Sequence, residues 1–164
     1  MTQVERDMLR ELRLGPFGLR PDEIEGYASG AHGAYRARGV PLAWVHPAQL
    51  ARALGLVILR DPVAPCAMLQ GNLIRLPPEG SERADRSRAL HEIAEHLLVK
   101  RADATHADVH ATALALSIER ADVALAVKLY GRSGAVRVLA AVHRRVPWWE
   151  IRARIALADA CARW

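Results

Sequence analysis

The chain has 164 residues, 51% hydrophobic but only 5% aromatic, with a formal net charge of +5 that is carried almost wholly by Arg, and two cysteines, Cys66 and Cys161. That length suits one compact domain with its own core, and an Ala- and Leu-rich palette predicts closely packed helices. Two isolated cysteines exclude a disulfide framework and a cysteine zinc knuckle, and no run approaches the ~20 apolar residues of a spanning helix, so a soluble, cytoplasmic protein without a leader or membrane segment is expected.

The first predicted element is an amphipathic helix over residues 2 to 14, with Val4, Met8, Leu9 and Leu12 on one stripe and Gly15-Pro16 as its stop. Pro21-Asp22-Glu23 starts a second helix, because Pro fits the first turn and acids favour the positive end of the dipole. It is expected to reach Arg38 before Gly39. Pro47 opens a short helix through Leu54, stopped at Gly55, and the compact apolar run Leu56-Val57-Ile58-Leu59 predicts a buried strand. Ala67 to Gln70 and Leu73 to Leu76 flank Gly71-Asn72, a pair suited to a tight hairpin, which gives a small sheet of about three strands. Pro77-Pro78 ends it.

From Glu82 to Arg101 there is no Pro or Gly, and Ala89, Leu90, Ile93, Ala94, Leu97 and Leu98 form a broad apolar helical face. A second long helix is predicted from Ala107 to Leu129 with Gly131 as its stop, followed by helices over Ala135 to Arg145 and Pro147 to Ala162. The fold class is α+β, mainly α-helical: one domain over residues 1–164 whose last part, from about 132, is a helical extension.

The chemistry gathers in His91-Glu92-Ile93-Ala94-Glu95-His96. In a His-Glu-x-x-His helix, two imidazoles one turn apart share a face and hold one zinc ion, while the Glu takes a proton from the attacking water. Here Glu95 stands four residues after His91, and the second imidazole, His96, comes one residue late. At ~100° per residue, His91 and Glu95 lie about 40° apart and His91 and His96 about 140° apart. Either Glu95 completes the pair as a carboxylate ligand, or a π-bulge rotates His96 towards His91. The plainer alternative is a solvated, ion-paired face of Arg88, Glu92 and His96 at i, i+4 spacing. Downstream, Asp103, His106, Asp108 and His110 are four further ligand-type side chains, of which Asp103 and His106 read as a polar turn between helices.

Leu73-Ile74-Arg75-Leu76-Pro77, then Arg86 and Arg88-Ala89-Leu90-His91-Glu92-Ile93-Ala94, then Leu97-Leu98, resembles the hairpin strand, loop and His-Glu helix of the ImmA/IrrE family of intracellular zinc peptidases. Pro47 to Ile58 resembles that family's short helix and first strand, and Asp108-Val109-His110-Ala111-Thr112-Ala113-Leu114-Ala115 is similar to the segment that carries its acidic third ligand. The resemblance implies Glu92 as the catalytic base and a zinc or other divalent ion held by His91, by Glu95 or His96, and by Asp108. It also implies a regulatory peptidase that acts on a helix-turn-helix repressor in stress or mobile-element control.

Two other readings compete: a noncatalytic relative that binds a regulator, motivated by the displaced second His, and a DNA-binding protein using Arg132, Arg137, Arg144, Arg145, Arg152 and Arg154. His32, His46 and His143 are isolated and read as surface or capping residues. Trp148 and Trp149 read as core and rim of an amphipathic helix. Neither cysteine has a neighbouring His that would activate a nucleophile.

Overall fold

The computed structural model describes residues 17–39 and 45–161, so the helix expected over residues 2 to 14 lies outside the described residues. Within them the chain forms α1 (Pro21–Arg36), α2 (Pro47–Ala53), β1 (Val57–Arg60), β2 (Met68–Gln70), β3 (Leu73–Leu76), α3 (Glu82–Leu98), α4 (His106–Ser117), α5 (Arg120–Val142) and α6 (Trp148–Cys161). This is the expected mainly helical α+β class with a small mixed sheet. No described helix is long and apolar enough to cross a membrane.

The sheet order is β1-β3-β2. β3 lies parallel to β1, with Ile58 opposite Ile74, and antiparallel to β2, with Leu69 opposite Ile74. Gly71 alone takes positive φ (61°) in the hairpin, which fits a turn demanding Gly at its first central position. β1 departs from expectation. It is an edge strand, with Val57 53% and Leu59 37% exposed, and the buried strand is the central β3, where Ile74 and Leu76 face the core. A continuous apolar run does not reveal how many neighbours a strand will have.

One apolar cluster joins α1, α2, the sheet, α3 and α4 through Ile24, Leu50, Ile74, Ile93 and Leu116; a second ties α5 to α6 through Val123, Leu139, Val146 and Ile151. α4 is the central helix, packed on α3, α1 and α6. Its N-terminus is closed by a capping box: Thr105 Oγ1 accepts from the Asp108 N–H at 3.3 Å, and the Asp108 carboxylate accepts from the Thr105 N–H at 2.6 Å.

The long helix expected from Ala107 to Leu129 is two helices. The chain turns extended at Ile118 (φ −142°, ψ 130°) and restarts at Arg120. No Pro or Gly marks this break, because buried side chains from elsewhere make it. His32 Nε2 lies 3.0 Å from the Leu116 carbonyl, Arg86 donates to the Ser117 carbonyl at 3.1 Å, and Arg154 Nε donates to the Ile118 carbonyl at 2.9 Å. These donors satisfy carbonyls that a continuing helix would otherwise have bonded. Gly131 does interrupt the next helix, as a kink at φ 65°, ψ 173° inside α5 rather than as a stop.

Candidate metal centre

Ser81 caps α3 by accepting from the Ala84 N–H at 3.2 Å, and the helix then runs against β2 and β3 with Leu90, Ile93, Ala94 and Leu98 buried. That apolar stripe fixes the helix rotation, which places His91 and Glu95 towards the N-terminal end of α4. α3 is regular through residue 98, with no π-turn, so Glu95 rather than His96 shares the His91 face. His91 Nε2 lies 3.5 Å from Glu95 Oε1.

His106, the first residue of α4, meets this pair. Ligand atoms of His91, Glu95 and His106 all lie within 4.8 Å of one another, a spacing that a single ion can draw together. His110, one turn along α4, joins from the side: its Nε2 is 3.0 Å from that of His106, and its ring centroid is 4.7 Å from that of His91. Burial, and secondarily the neighbouring His106, lowers the His91 pKa and keeps that imidazole in the neutral form a metal needs. A set of imidazole nitrogens and one carboxylate suits zinc and similar borderline divalent ions.

Glu92 is 5% exposed, which sets aside the solvated, ion-paired face. Burial and then the adjacent negative Glu95 push its carboxyl up to about 7, against a downward pull from the Leu69 backbone N–H of β2. Together with His91, His106 and His110 it lines a cavity of about 310 Å³ that extends to Trp149 and Glu150 of α6.

Other expected ligands fall elsewhere. Asp108 is fully buried and its carboxylate accepts from the N–H groups of Gly18 (2.9 Å), Leu19 (3.2 Å) and Thr105 (2.6 Å) and from the Thr105 hydroxyl (2.8 Å). With four donors upon it, this carboxylate ties the chain before α1 to the start of α4 and does not join the ligand group. His96 is half-buried and outside that group. Asp103 is held by Arg101 at 2.7 Å, as its turn reading expects, whereas His106 leaves the turn for the cluster.

The isolated histidines stand outside the ligand group, and two of them, expected as surface or capping residues, are buried. His32 is buried against the end of α4, His143 is buried at the end of α5, and His46 precedes α2. Cys66 is exposed, and burial raises the Cys161 thiol pKa. Of the C-terminal arginines, Arg132 pairs with Asp159, Arg145 with Glu82 and buried Arg154 with Glu25, while Arg152 lies over the Trp148 ring at 4.8 Å.

His106 and Glu150 are the positions that sequence spacing undervalued. His106 stands 15 residues beyond His91 on another helix, and Glu150 follows two tryptophans with no ligand-like pattern around it. Their nearness to His91 and Glu92 is a product of helix packing. Compared with protein-family profiles, characterised proteins and solved structures, the chain matches none.

Proposed function

We propose that this protein is a metal-dependent peptidase of the ImmA/IrrE type. The observation that supports the reading is the convergence of His91, Glu95 and His106 beside the buried Glu92 on one cavity wall. His91 and His106 would hold a divalent ion, zinc first among those the donors suit, with Glu95 as the carboxylate ligand and His110 within reach as a fourth. When bound, such an ion supplies Lewis-acid chemistry, polarising a carbonyl and acidifying water. Glu92, one residue from His91, then takes the proton of the attacking water at its carboxylate and hands it to the leaving amine. The substrate class is a regulatory protein of the helix-turn-helix repressor kind, an inference from the resemblance of the His-Glu helix and its preceding hairpin.

The test has two parts. Protein expressed with metal is expected to carry about one divalent ion per chain, lost in His91→Ala and His106→Ala. Glu92→Gln is expected to keep the ion and lower cleavage of a genetically adjacent repressor by about 10²–10⁴-fold. Unchanged cleavage by Glu92→Gln removes the peptidase reading.

A noncatalytic protein-binding module is the second reading, supported by Glu95 standing where the second imidazole is usual and pairing directly with His91. It predicts repressor binding without cleavage and without stoichiometric metal.

A further inference from the structure

The part of the cavity away from His91 has a wall that the metal centre does not use. There Trp149 and Glu150 of α6 join Leu114 and Ala113 of α4. Glu150 is 6% exposed, and among the described residues no hydrogen bond or ion pair reaches its carboxylate. The buried Arg86, and Arg83 beyond it, favour its charge from outside hydrogen-bond reach: Arg86 donates through Nη2 to the Ser117 carbonyl at 3.1 Å, and its field rather than a direct bond acts on Glu150. The remaining charges on the wall have other company: Arg88 faces Asp85 at 3.6 Å, and Glu92 stands beside His91 and the Leu69 N–H. A carboxylate at more than nine-tenths burial with no donor in direct contact is costly, and a cation or donor entering the cavity would add the direct partner that Arg86 does not supply. The half-buried Trp149 beside it supplies an aromatic surface of the kind that attracts guanidinium and ammonium groups.

We propose that this end of the cavity is a side-chain subsite for a cation, taking an arginine or lysine with its charge on Glu150 and its apolar stem against Trp149. At about 310 Å³ the whole cavity is near the lower limit of ligand pockets, roughly 300–1,000 Å³, which suits one or two side chains. That the cation belongs to a cleaved peptide rests on the peptidase reading; that the cavity prefers a cation does not. In a substrate, the basic side chain would seat beside Glu150 and thereby position a nearby peptide bond next to Glu92 and His91.

The probes are Nα-acetyl-argininamide and its neutral isostere Nα-acetyl-citrullinamide, titrated into the full, metal-replete chain by calorimetry and by the indole N–H resonance assigned to Trp149. The arginine probe is expected to bind about tenfold or more tightly than the citrulline probe, as a charged hydrogen bond in a buried site provides. Glu150→Gln is expected to abolish that preference. Equal affinity of the two probes for the natural protein, or an undiminished preference in Glu150→Gln, overturns the subsite. Repressor cleavage separates the two ideas. A Glu150-dependent arginine preference alongside cleavage indifferent to Glu92→Gln leaves the subsite standing and removes the peptidase; Glu92-dependent cleavage with equal probe affinities does the reverse.

Discussion

Asp108 and Glu150 are both buried acids, and their surroundings give them opposite roles. Asp108 receives four donors and is saturated, so it holds structure together. Asp108→Asn is expected to cost about 1–3 kcal/mol of stability, because the amide cannot accept from all four donors, while the bound-metal stoichiometry stays at the natural level. Loss of metal with unchanged stability would restore Asp108 as a ligand. Glu150 has no such donors, and burial raises its carboxyl from 4.5 to about 7. The sign follows from linkage. Below pH 4.5 the group is protonated folded and unfolded and carries no penalty; between 4.5 and about 7 the unfolded chain ionises while the buried acid stays protonated, and the folded state loses stability on the order of 3 kcal/mol, a loss complete once pH exceeds 7. Glu150→Gln is therefore expected to raise the melting temperature at pH 8 and to change it little at pH 4, by thermal denaturation in the two buffers. A larger gain at pH 4 contradicts the assignment.

At the scale of elements, the helix-start and turn signals were legible where the controlling residues are local. Pro21 and Pro47, read as helix starts, open α1 and α2, and Gly71 closes the expected hairpin; the caps of α3 and α4, Ser81 and Thr105, are as local but were not read as caps from the sequence. The break at Ile118 is different in kind. Its carbonyls are satisfied by Arg86 and Arg154, whose sequence separations from them are 31 and 36 residues, so no window around Ile118 contains the cause. Glycine positions show the same division. Gly131 sits at φ 65°, ψ 173°, a region open essentially to Gly, and Gly131→Ala is expected to cost about 1–3 kcal/mol in chemical denaturation. Gly18 has ordinary φ, yet a Cβ there would lie 1.6 Å from the Asp103 carbonyl oxygen. Gly18→Ala is expected to push apart the chain before α1 and the start of α4, lowering stability; a neutral effect would show that the approach is relaxed in solution.

At the scale of the whole molecule, the first and last helices among the described residues are joined by a buried ion pair. Arg154 of α6, 0% exposed, reaches Glu25 of α1, 3% exposed, through both carboxylate oxygens, and its Nε caps Ile118. Breaking one partner of such a pair strands a charge in the interior, so Glu25→Gln or Arg154→Met is expected to cost about 3–5 kcal/mol. The double variant Glu25→Leu with Arg154→Met is expected to cost less than the sum of its single changes, as a double-mutant cycle in denaturant would measure. This pair holds α6, and with it Trp149 and Glu150, in place beside the α3 and α4 residues that line the cavity.

The amino-acid sequence by itself determined the site helix and half of the site. Apolar spacing over Ala89 to Leu98 fixes which face of α3 is buried and leaves Glu95, or His96 through a π-bulge, as the partner of His91; the regular helix in the structure decides for Glu95. Only the tertiary structure decided that His106 rather than Asp108 completes the group, and that Glu150 lines the same cavity. The physical reason is range. A helix repeats every few residues and records its own periodicity, whereas the meeting of two helices depends on side-chain packing and on donors contributed from distant parts of the chain.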